Sequence, residues 1–201
     1  KIAQVALILI TPGLALFVRF TGCNLNCSYC DTSWANVPDA PYVSMTTEDV
    51  CREVVDSKVA NVTLTGGEPL IQPGVRELLA GLSAVCNSIE VETNGSQPIS
   101  SFFDVSDHVT FTVDYKLPSS EMERFMDLSN FENVRPQDTV KFVEGSTVDL
   151  EKAKTIIERY DLAGRTHVYL SPVFGKIDPA LMVDFMQKNK MNGVNLQLQL
   201  H

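Results

Sequence analysis

The chain has 201 residues, 44% of them hydrophobic and 20% charged, which is enough apolar material for one packed domain and too much for a disordered chain. Its 25 acidic residues against 16 basic ones leave a net charge of −9, the wrong sign for a general duplex-binding protein but compatible with a local basic pocket for an anionic small molecule. No apolar run approaches the roughly 20 residues that span a bilayer.

In chain order, Val5–Ile10 is the longest apolar stretch, and Thr11, Pro12 and Gly13 interrupt it. The residues after it run straight into a cysteine-rich loop with no small-residue cleavage site, so this segment reads as strand rather than secretion signal. Ala15–Phe20 reads as a strand. Thr46–Val59 reads as a helix, with Thr46 or Thr47 as cap and Glu48 and Asp49 in its first turn, where the helix dipole favours acids. Asn61–Thr65 follows as a strand, Gly74–Cys86 as a helix, and Ser88–Glu92 and His108–Val113 as strands. Val140–Val143 is a strand, Asp149–Tyr160 a helix, His167–Leu170 a strand and Pro179–Asn189 a helix. Val194–Leu200 alternates like a final strand.

Such alternation predicts a parallel sheet with right-handed crossovers, whose functional groups gather past the C-terminal ends of the strands. The polar signals obey that rule. The cysteine loop follows one strand, Gly66-Gly67-Glu68 the next, Thr93-Asn94-Gly95 the third and Asp114-Tyr115-Lys116 the fourth. A full eight-stranded barrel takes about 250 residues, so the expected fold is α/β, a shortened or open parallel (β/α) barrel, in a single domain over 1–201.

Cys23, Cys27 and Cys30 are spaced C-x3-C-x2-C. A structural zinc site wants four ligands. His108, His167 and His201 are remote in sequence, and Cys51 and Cys86 fall in helical patterns, where they read as small buried hydrophobes. Thiolates are the usual ligands of iron–sulfur clusters, and three of them on a four-iron cluster leave one iron open for chemistry. Zinc with a distant fourth ligand, and a redox dithiol made of Cys27 and Cys30, remain open as alternatives. Five cysteines in a chain of this size favour a reducing, cytoplasmic setting over a disulfide scaffold. Arg19 is a single charge in an apolar strand. Its planar fork suits a carboxylate, against the plainer reading of a solvated strand face.

The cysteine loop, with Tyr29 before the last thiol, resembles the radical S-adenosylmethionine (SAM) superfamily. Further motifs are Phe17–Leu25, Cys30-Asp31-Thr32, Thr65–Pro69, Glu92–Gly95, Asp114–Lys116 with Pro118-Ser119-Ser120, and Leu196–His201. Together they resemble the 7-carboxy-7-deazaguanine synthase family within it. The resemblance implies a [4Fe-4S] cluster on Cys23, Cys27 and Cys30, SAM on its open iron, and cleavage of SAM to a 5′-deoxyadenosyl radical. It implies cofactor contacts at Tyr29, Asp31, Gly67, Asp114, Tyr115, Lys116 and Ser171, and substrate contacts at Arg19 and Thr65. It implies Mg2+ at Thr32, with the substrate carboxylate completing the metal's shell. The reaction implied is conversion of 6-carboxy-5,6,7,8-tetrahydropterin to 7-carboxy-7-deazaguanine with loss of ammonia, in queuosine biosynthesis. A low-potential donor such as flavodoxin and a homodimer are implied as partners, with no nucleic acid and no membrane. The chain departs from the family in lacking a Gln-Gly-Glu-Gly loop near 10–11 and a Gly after Ser120, so segments are expected to be omitted near 10–11 and 120–121. His201 is a candidate on the substrate side. The competing readings are another short radical enzyme, such as a glycyl-radical activase, and a non-catalytic iron–sulfur or zinc protein.

Overall fold

A computed structural model of the chain describes residues 1–10 and 13–198. The expected omission near 10–11 and the candidate His201 fall at residues outside that description. Eight strands follow chain order in the sheet, the shortened open α/β arrangement expected. They are β1 (Ile2–Ile10), β2 (Gly13–Phe20), β3 (Asn61–Gly66), β4 (Ser88–Thr93), β5 (Val109–Tyr115), β6 (Thr139–Glu144), β7 (His167–Pro172) and β8 (Val194–Leu196). The helices are α1 (Thr47–Ser57), α2 (Val75–Ser83), α3 (Ser129–Asn133), α4 (Thr147–Arg159), α5 (Leu162–Arg165) and α6 (Pro179–Lys188).

The chain divides into two compact units. The first holds Lys1–Leu25, Cys30–Thr93 and Ile99–Phe111; the second holds Asn26–Tyr29, Asn94–Pro98 and the chain from Thr112 onward.

In the first unit, β1 pairs antiparallel with β2, and β2, β3 and β4 run parallel. The antiparallel start departs from the all-parallel expectation. Only a short link separates β1 from β2, and a parallel crossover needs about a dozen residues. One face of the sheet is a continuous apolar layer of Leu16, Val18, Phe20, Val62, Leu64, Ile89 and Val91, all buried. Helix α1 begins where expected: Thr46 accepts from the Asp49 amide and the Asp49 side chain accepts from the Thr46 amide, a reciprocal cap worth about 1 kcal/mol. Its apolar positions Val50 and Val54 are buried, as are Leu78, Leu79 and Leu82 of α2.

In the second unit, β5 pairs parallel with β6, β6 with β7 and β7 with β8. Its centre is aromatic. The Tyr115 ring lies 5.2 Å from Phe131 and 5.7 Å from Phe142, centroid to centroid, and Phe131 lies 5.9 Å from Tyr160. These tilted contacts are the geometry that ring quadrupoles favour. Leu150, Ala153, Val168 and Leu170 close the core. The final strand is shorter than expected, ending at Leu196.

Candidate active site

The cysteine loop leaves β2 through Gly22, at φ +82°. It is fastened to the turn after β3 by main chain, the Gly67 amide donating to Phe20 O at 3.1 Å and the Glu68 amide to Gly22 O at 2.9 Å, and by the Gln72 side chain, whose Nε2 donates to Thr21 O at 3.1 Å. That approach is why two glycines stand here. A Cβ on Gly66 would overlap the Phe20 backbone, and one on Gly67 would overlap the Gly22 carbonyl and stand 2.7 Å from Asn36 Oδ1. Glu68 is fully buried, with its carboxylate accepting from the Leu70 amide at 2.9 Å and from Thr93 Oγ1 at 2.7 Å. The acid of the Gly-Gly-Glu motif therefore ties β3 to β4.

All three loop cysteines are of intermediate exposure, and none is in a disulfide among the described residues. Within the first unit, Cys23 Sγ accepts from the Leu25 amide at 3.4 Å. Cys30 Sγ lies 3.6 Å from Thr32 Oγ1 and 3.9 Å from Asn36 Nδ2. Asp31 is exposed and Thr32 half-buried. The middle of the loop belongs to the second unit. There the Asn26 amide donates to Met122 Sδ at 3.4 Å, the Ser28 amide to Ser120 O at 3.2 Å and Ser28 Oγ to Ser119 O at 2.6 Å. The Tyr29 hydroxyl donates to Val143 O at 3.2 Å. Burial pushes the Tyr29 phenol above its ordinary pKa, so it remains a donor.

The opposite face of β2–β4 is polar, which is unusual for parallel strands. Register places Phe17 beside Thr63, Arg19 beside Thr65, and Thr63 beside Glu90. Thr65 Oγ1 donates to Glu92 Oε2 at 2.7 Å and Thr63 Oγ1 to Glu90 Oε2 at 3.3 Å. Arg19 is half-buried, and among the described residues its guanidinium has no hydrogen bond or ion pair. Sequence reasoning picked out Arg19 and Thr65 but not the two glutamates. Their signal was the alternation of Ser88-Ile89-Glu90-Val91-Glu92-Thr93, which sets two acids on one face of a strand otherwise built for a core.

The remaining candidates lie at the ends of second-unit strands. Lys116 Nζ stands 2.8 Å from Asp114 Oδ2, and Asp114 Oδ1 is buried with no partner among the described residues. Burial alone would lower the Lys116 pKa, but the charges of Asp114, Cys27 and Tyr29 outweigh it and hold the ammonium above its ordinary value. The Tyr115 ring is in the core and its hydroxyl donates to Glu123 at 2.9 Å. Ser171 is fully buried; its amide donates to Glu144 Oε2 at 2.9 Å and its hydroxyl to Gln197 O at 2.8 Å. At Tyr115 and Ser171 the side chains are thus engaged in the fold, and so is the Ser171 amide. Glu144, another residue that sequence reasoning passed over, is fully buried with Oε1 unpartnered among the described residues. Burial pushes its carboxyl well above the usual range.

A three-cysteine loop after the second strand of such a sheet has a known setting. A match to the Radical SAM superfamily spans residues 17–175, and the chain belongs to that superfamily. It is 50% identical over 189 residues, 94% of this chain and 86% of the relative, to a 7-carboxy-7-deazaguanine synthase of Clostridium acetobutylicum. It is 33% identical over 92% of its length and 82% of the relative to the one of Chlorobaculum tepidum. Within the superfamily it belongs to the 7-carboxy-7-deazaguanine synthase family. In fold it is similar to QueE from Escherichia coli, at a TM-score of 0.76 and 18% identity over 100% of this chain and 93% of that one. Streptococcus suis SuiB bound to SAM is similar at a TM-score of 0.62 and 15% identity, over 92% of this chain and 52% of that one.

Membership implies a four-iron cluster and SAM, and the donor set fits a cluster. Three accessible sulfurs come from one short loop, and N–H groups are already directed at Cys23 and Cys30, as a thiolate requires. Among the described residues no three His, Cys, Asp or Glu side chains are grouped closely enough to hold a single metal ion. No helix among the described residues is long and apolar enough to cross a membrane.

Proposed function

We propose that this protein converts 6-carboxy-5,6,7,8-tetrahydropterin to 7-carboxy-7-deazaguanine, with loss of ammonia. The observation that carries this reading is Arg19. A half-buried guanidinium without an ion-pair partner among the described residues stands beside Thr65 on a face that also bears Glu92. That trio offers a carboxylate clamp, a hydroxyl and a carboxylate acceptor for ring N–H groups, matching an amino-pterin acid. The 50% identity to the Clostridium acetobutylicum relative supports the same substrate.

The cluster and SAM, when bound, supply a carbon radical that abstracts hydrogen; this chain supplies placement. Cys23, Cys27 and Cys30 hold the cluster. Gly67 would take the methionine end of SAM, and Tyr29, Asp31, Asp114, Tyr115, Lys116 and Ser171 would supply its further contacts. Arg19 and Thr65 fix the substrate so that one C–H bond meets the radical at contact distance. Thr32 offers Mg2+ a single neutral oxygen, a poor site by itself, so the substrate carboxylate and water complete its shell and metal binding is coupled to substrate binding. The reductant is a low-potential one-electron carrier of the flavodoxin kind, the setting is cytoplasmic, the working form is a homodimer, and the chain over 1–201 acts as one catalytic domain.

The test is anaerobic reconstitution with iron and sulfide, followed by incubation with reductant, SAM, Mg2+ and the carboxylated pterin. A deazapurine carboxylate detected by mass spectrometry is the expected product. Formation of 5′-deoxyadenosine with no deazapurine would overturn the substrate assignment.

A further inference from the structure

We propose that the Lys116–Asp114 pair sets the reduction potential of the cluster, its ammonium raising and its carboxylate lowering the potential felt at Cys27. This rests on the assignment of Cys27 as a cluster ligand.

The geometry lies within the second unit. Asn26, Ser28 and Tyr29 bracket Cys27, and each is fastened: Asn26 to Met122, Ser28 to Ser119 and Ser120, and Tyr29 to Val143. Residues 119–122 follow Lys116 in the chain by a single short turn, Pro118–Ser120. The loop on either side of Cys27 is thereby held against the segment that Lys116 begins. The two partners of the ion pair retain only 14% and 27% side-chain exposure. Lys116 Nζ has three protons to donate and, among the described residues, one acceptor, Asp114 Oδ2 at 2.8 Å. Its own amide is occupied by Met126 Sδ at 3.2 Å. The ammonium is thus anchored by Asp114 but only partly neutralised, and Cys27 and Tyr29 both sense its field.

One electron delivered by the external carrier makes the cluster more negative by one charge. A cation held at low exposure beside one of its thiolates lowers the energy of that reduced state, because water screens it poorly. Net charge around the sulfurs is a recognised control on such potentials. Lys116 therefore makes the first, hardest electron transfer easier, and Asp114 sets how far. The two residues act through the ligand, so they are tuning residues of the centre, distinct from any contact they make with SAM.

The pair predicts shifts of opposite sign. In the anaerobically reconstituted full chain without SAM, the midpoint potential is read by EPR-monitored redox titration. Lys116→Gln should lower the equilibrium constant for reduction about tenfold, about 59 mV for one electron. Asp114→Asn should move the potential the other way, and Lys116→Arg should restore the wild-type value. Equal iron and sulfide content in all four proteins separates tuning from loss of the site; should Lys116→Gln load poorly, Asp114→Asn carries the test. Unchanged potentials, or shifts of the same sign in both variants, would overturn the proposal. A wild-type chain that assembles no four-iron cluster would instead overturn the ligand assignment.

Discussion

Gly67→Ala tests the joint between the cysteine loop and β3. The added Cβ would overlap the Gly22 carbonyl and stand 2.7 Å from Asn36 Oδ1. Backbone cannot swing away as a flexible side chain can, so the loop must lift. Overpacking of this kind costs about 1–3 kcal/mol. The hydrogen bonds Gly67 N to Phe20 O and Glu68 N to Gly22 O would stretch with it, at about 0.5–1.5 kcal/mol each. The total is about 2–6 kcal/mol, a large part of the roughly 5–15 kcal/mol that holds a domain folded. It corresponds to a fall in Tm of roughly 4–24 °C. Urea denaturation of the metal-free chain measures it, and iron content after reconstitution should fall in parallel. Gly13→Ala is the control, because a Cβ there meets nothing within 4 Å; it should stay within about 0.5 kcal/mol of wild type. A Gly67→Ala protein as stable as that control, with full iron, would refute the account of the joint.

Four further outcomes are expected. Arg19→Lys should raise KM for the carboxylated pterin about 10–100-fold, the loss of one charged hydrogen-bonded clamp, and an unchanged KM by product chromatography would remove Arg19 from the substrate site. Burial holds the folded-state pKa of Glu144 well above the ordinary carboxyl range in which its unfolded counterpart ionises. Its contribution is therefore complete at low pH and lost as pH rises above that range, and Glu144→Gln should abolish this fall; urea midpoints of the two proteins that run parallel across pH would count against it. In the metal-free chain at pH 8, iodoacetamide should label Cys23, Cys27 and Cys30 first and leave Cys86 untouched until denaturation, since it is buried and its thiol is pushed up to about 11; mass spectrometry showing equal labelling would contradict this. Glu121 sits at φ +64°, where glycine avoids a steric cost of about 1–2 kcal/mol but adds unfolded-state freedom. Glu121→Gly should therefore raise stability by about 0.5–1 kcal/mol, and a lower urea midpoint would speak against it.

The elements that declared themselves in sequence did so through a local cause. Helix α1 had its cap and acid in the right register, and β3, β4 and β5 ended at motifs whose residue types suit strand ends. The antiparallel sense of β1 was not legible, because an apolar run carries no direction. The three-residue 3-10 turns at Ser33–Ala35, Pro69–Ile71 and Glu123–Phe125, and the short helices α3 and α5, are below the length at which a period can be read. At the site, Arg19 stood out as a charge in an apolar strand, whereas Glu92 looked like ordinary strand alternation until pairing set Thr65 against it. Glu144 was invisible for a related reason: a glutamate ahead of a glycine reads as a solvated strand end, and only its burial reveals it. The place of the middle of the cysteine loop within the second unit depends on hydrogen bonds to residues more than 90 positions away, which no local pattern encodes.

The ties of Asn26, Ser28 and Tyr29 to distant main chain bear on how the centre is assembled. Many small metal modules are shapeless until their ion arrives, and chelators melt them. Here the ribbon carrying the sulfurs already has its own scaffold. These ties do not depend on iron, so loading the metal should change the urea midpoint little and stripping it should leave a folded, refillable protein.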